Sequence, residues 1–67
     1  MLTKEDHEMT IKQCQEALPL LHKVLSVNPP KSEKMLIESL IHMTKCTELR
    51  SMECLAYIEA GENLTKH

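Results

Sequence analysis

Phenylalanine and tryptophan are absent from this 67-residue sequence, and Tyr57 is its only aromatic residue. The interior must be built from ten Leu, four Ile, five Met and two Val. So few aromatic and β-branched side chains disfavour sheet and point to helices. An excess of positive charge is missing too. Ten acidic residues face eight basic ones, a net charge of −2, which argues against the broad basic surface that phosphate binding needs. No apolar run approaches the length of about eighteen residues that a membrane span takes, and no signal peptide precedes Leu2. Cys14, Cys46 and Cys54 are three, so a closed set of disulfides would leave one thiol over. Together these features predict a reduced, cytoplasmic chain.

At 7.7 kDa the chain is one small domain, residues 1–67, because a protein of this size buries only about 60% of the surface its unfolded form exposes. Met1 at the start and Lys66-His67 at the end are what a complete accessory protein of a bacterium or phage would show.

Thr3, with Asp6 three residues on and Glu5 and Glu8 in the first turn, predicts a helix that begins near Lys4. From there Ile11, Cys14, Leu18, Leu21 and Leu25 recur every three or four residues and line one face, widened by Ala17 and Val24. Lys4, Glu8, Lys12 and Glu16 alternate in sign on the solvated side. Pro19 cannot donate to the carbonyl of Gln15, so the expectation is one helix over about 4–27, kinked at Pro19. Asn28-Pro29-Pro30 ends it in a turn over 28–31.

Ser32 is the expected cap of a helical region over 32–60, with Leu36, Ile37, Leu40, Ile41 and Met43 as its apolar face. Leu49, Met52, Leu55 and Ala56 project about 120° around from that face. Either Thr47 caps a new helix, or one long helix serves two partners along its length. Gly61 is the expected terminator, with a tail over 61–67. The fold class is all-α: a helical hairpin that packs with copies of itself into a dimeric or higher helical bundle, since chains this short rarely stand alone.

His42 and Cys46 share a helical face, and antiparallel folding brings Cys14 level with them, so three soft ligands can meet. Without a C-x2-C pair or a fourth ligand, packing cysteines are the better expectation, and no metal or cofactor is assigned. His7, His22 and His42 are read as surface histidines rather than pH switches. A hairpin this small offers no concave site of a few hundred cubic ångströms, so an enzyme is not expected. The methionines have two uses open to them. They can fill a core that lacks aromatics, the commoner case, or form an adaptable binding surface.

The surplus of apolar residues in the second half favours a non-catalytic protein-binding adaptor, inhibitor or chaperone that self-associates. Met35, Leu36, Met43, Leu49, Met52 and Leu55 are its candidate partner-binding residues. The alternative is an oligomer that binds a nucleotide or RNA between protomers through Lys12, Lys23, Lys31, Lys34 or Arg50. The length, the hairpin, Leu2-Thr3-Lys4 and Gly61-Glu62-Asn63-Leu64 loosely resemble the Rop family of plasmid RNA-binding proteins. That family carries an aromatic and several basic side chains on its first helix. Here the matching region has no aromatic and alternates charge, so RNA binding carries over to no residue. Helical-hairpin chaperones of bacterial secretion systems are similar in size and architecture, without a motif that discriminates them.

Overall fold

Thr3 starts the first helix. In a computed structural model, which describes residues 2–65, its backbone is extended (φ −86°, ψ 172°). The Thr3 N–H donates to Asp6 Oδ2 at 2.9 Å, and the Asp6 N–H donates to Thr3 Oγ1 at 3.3 Å. This reciprocal pair satisfies two amides that the helix itself leaves unpaired. The hydrogen bond from the Thr3 backbone, then that of its side chain, holds the Asp6 carboxyl below the usual carboxylate range.

Helix α1 runs over Lys4–Ser26 with Pro19 inside it, a single helix as the uninterrupted apolar spacing predicts. Asn28 then takes a left-handed conformation, φ 56°, which asparagine tolerates better than most residues. Its N–H donates to the Leu25 carbonyl at 3.2 Å and closes the helix end. Helix α2 runs over Lys31–Thr65. It starts one residue earlier than expected and is not capped by Ser32, which lies within its first turn. The carbonyl of Pro30 accepts from the Lys34 N–H at 2.8 Å, so the proline itself stands at the helix entry, where its fixed φ costs nothing.

Two further expectations are corrected. Thr47 does not break α2, which is one unbroken helix. Gly61 does not end it either: the helix continues to Thr65, so residues 61–65 are not a tail, while residues 66–67 lie outside those described. Gly61 has no positive φ, and a Cβ added there meets nothing within 4 Å. A helical glycine in open space forgoes stability for no steric gain. Gly61→Ala should therefore raise unfolding stability by about 0.5–1 kcal/mol in a urea titration. A loss of stability would show that the position needs glycine.

The two helices pack as a hairpin 57 Å long. Lys4 Nζ, at the start of α1, lies 3.5 Å from Glu62 Oε2, near the end of α2, so the helices are antiparallel. This half-exposed pair contributes under about 1 kcal/mol. On α1 the inward residues are Lys4, His7, Ile11, Cys14, Leu18, Leu21 and Leu25; on α2 they are Ile37, Ile41, Thr44, Glu48, Ser51, Leu55 and Ile58. All fourteen are buried or half-buried, and both series step by three and four residues, the repeat of a coiled coil. The seam is apolar near the turn and polar in the middle of α2. Among the described residues only Cys14, Ile41, His7 and Ser51 are nearly buried, at 7–8% exposure, and none has a fully enclosed side chain.

The expected inner face of α2 is divided by the structure. Ile37 and Ile41 turn toward α1, whereas Leu36, Leu40 and Met43 face solvent. Met9, Met35, Met43 and Met52 are all exposed, which overturns the reading of methionine as core filler. His7, read as a surface residue, is buried on the seam, and its Nδ1 has no hydrogen-bond partner.

Candidate protein-interaction face

Each helix carries a second stripe beside the seam. On α2, Leu36, Leu40, Met43, Thr47, Arg50, Cys54 and Tyr57 step by four and three residues; on α1 and its C-cap, Ala17, Leu20, Val24 and Val27 step by three and four. At 100° per residue these stripes lie about 110° around their helices from the seam. Both emerge on the same side of the hairpin. An open groove of ≈ 580 Å³ is walled there by Thr10 of α1 and by Met43, Thr47, Arg50 and Cys54 of α2.

The face has two halves. Toward the turn, Leu20, Val24 and Val27 on one side and Leu36, Leu40 and Met43 on the other form apolar rows free of charge. Leu36 is 62% exposed, Met43 61% and Val27 72%. Toward the chain termini, the same stripes carry Thr10, Gln13, Thr47 and Arg50. The opposite flank is polar toward the turn, with His22 of α1 beside Glu38 and Lys45 of α2, and carries exposed Leu49 and Met52 farther along. In the half of the hairpin near the turn, one side is therefore polar and the other apolar.

Of the residues singled out from the sequence, Leu36 and Met43 belong to this face. Met35 lies next to it on the outer side of α2, whereas Leu49 lies on the opposite flank, one turn on from Lys45; both are exposed. Met52 occupies the same flank, two turns on from Lys45, and Leu55 is half-buried on the seam. The sequence reading missed Leu20, Val27 and Leu40 as surface residues of the same face. The spacing of Ala17, Leu20, Val24 and Val27 is the signal that identifies them.

Cys46 Sγ lies 3.7 Å from His42 Nε2 and both residues are exposed, but Cys14 is buried on the seam. The three do not meet, and among the described residues no group of three or more His, Cys, Asp or Glu can hold a metal ion. All three cysteines are free thiols. Lys31 and Lys34 sit in the first turn of α2, about 24–28 Å along the helix from Arg50. Lys12 and Lys23 project from the outer side of α1, so the basic residues share no single face. No described helix is long and apolar enough to cross a membrane.

Comparison with known protein families, with curated proteins and with solved structures found no match.

Proposed function

We propose that this chain is a small, non-catalytic protein-binding adaptor or chaperone-like subunit that engages its partner through the exposed apolar rows of the second stripe. One observation carries the reading. The half of the face near the turn is more uniformly apolar than the seam that holds the hairpin together, where Thr44, Glu48 and Ser51 interrupt the series. Apolar surface arranged at coiled-coil spacing on two adjacent helices is suited to receiving helices. Exposed methionine at its edge suits a surface that adapts to what it covers. Three free thiols fit a reducing cytoplasm, and a bacterial or phage accessory protein is the setting we favour.

The test is photo-cross-linking in the native host, with benzoylphenylalanine placed at Met43 or at Lys12. The Met43 position should give a discrete cross-linked species and the solvated Lys12 position none. Absence of any product at Met43, or equal products at both, would overturn the reading.

A further inference from the structure

We infer that the occupant of the apolar rows is a second copy of this chain, docked face to face about a two-fold axis parallel to the hairpin, so that the two turns lie at the same end of a four-helix bundle. The inference rests on the protein-binding reading of this face and specifies the partner and its orientation.

The surface area supports a second copy. The chain exposes 5553 Å², whereas a compact monomer of its mass exposes about 4,300 Å². The excess, roughly 1,200 Å², exceeds the ~800 Å² per partner that a stable interface takes. A hairpin with no fully enclosed side chain among the described residues also lacks the core that lets a chain of this size stand alone. The angle between the stripes agrees with this. Neighbours in a square four-helix bundle lie about 90° apart around each helix, close to the ~110° between the seam and the second stripe.

The two halves of the face decide the orientation. With both turns at one end, α1 of each copy lies against α2 of the other at the same level. Val24 then faces the second copy's Leu40, Leu20 its Met43 and Val27 its Leu36. The polar halves also meet, with Arg50 opposite Gln13 rather than opposite another charge. Every neighbouring pair of helices is antiparallel, which suits their dipoles. With the turns at opposite ends and the helices overlapping along their full length, α1 would lie on its own copy, placing Val24 against Asp6 and Val27 against Thr3. That arrangement buries a carboxylate on an apolar side chain without a counter-charge.

Two measurements test the inference. Light scattering on the reduced, unmodified chain should give the mass of a dimer. Leu40→Asp should shift it to monomer, while Met52→Asp, on the opposite flank, should leave it dimeric. A nitroxide is then placed at the turn through Lys31→Cys, in a chain carrying Cys46→Ser and Cys54→Ala whose circular dichroism and mass match the parent. Pulsed electron resonance should show the two labels about 15–30 Å apart, as expected for helices packed 8–10 Å from one another. A separation near the full 57 Å length of the hairpin would overturn the orientation. A monomer at all concentrations would overturn the second copy altogether. If a monomer still gave a heavier cross-linked species from Met43, the protein-binding reading would survive with a different partner; if it gave none, both would fall.

Discussion

Replacing Ile41 by alanine should leave most of the chain unfolded at room temperature. Ile41 is one of two apolar residues among those described that the hairpin nearly encloses, at 8% exposure. It lies in the apolar part of the seam, where it lines a groove with Leu25 of α1. Truncating a buried isoleucine to alanine costs about 2–5 kcal/mol, through lost transfer energy and the cavity left behind. A core in a chain this small rarely supplies more than about 3–5 kcal/mol in total, so the loss is comparable to the whole stability. Urea titration followed by far-ultraviolet circular dichroism measures it. Met9→Ala is the control, because Met9 projects from the outer side of α1 and should change stability by no more than about 0.5 kcal/mol. Equal midpoints for the two variants would mean that the seam does not hold the fold.

Glu48→Leu should act in the opposite direction. Glu48 is half-buried on the seam between Thr44 and Ser51, where the coiled-coil repeat calls for an apolar side chain. No ion pair holds its carboxylate among the described residues. Full burial of a leucine contributes about 1.5–3 kcal/mol, and at a half-buried position about 1–2 kcal/mol is expected. For a domain of this length that corresponds to a rise in Tm of about 5–15 °C. Thermal melting at one fixed protein concentration tests it, since association makes Tm depend on concentration. A fall in Tm would show that the glutamate makes a stabilising contact outweighing its poor fit in the seam.

The hairpin itself was legible because its signals are local. Thr3 with Asp6 marks the start of α1, Asn28-Pro29-Pro30 marks the turn, and Leu18, Leu21 and Leu25 mark the inner side. The rotational setting of α2 was not legible. Leu36, Ile37, Leu40, Ile41 and Met43 contain two overlapping series, and periodicity alone does not choose between Leu36–Leu40–Met43 and Ile37–Ile41–Thr44. The four residues 27–30 make that choice: with so short a connection, and with α2 starting directly after Pro30, the helix enters with Ile37 toward α1. The ends of α2 were misread for a related reason. Ser32 and Gly61 are residues that often end helices, but Pro30 already supplies the entry, and the helix continues past Gly61 to Thr65. His7 was misread because a histidine in a polar first turn looks solvated, although it falls in phase with Ile11 and Cys14.

The uneven seam also gives folding a direction. Its apolar stretch, Leu18, Leu21 and Leu25 with Ile37 and Ile41, lies beside the turn, where only a short loop has to close before contacts form, and closure entropy is smallest for the shortest loops. Its polar stretch, Thr44, Glu48 and Ser51, lies farther along and gains less from pairing. The hairpin therefore zips from the turn toward its termini and opens from the termini inward, and the lifetime of a pairing depends on its distance from Asn28.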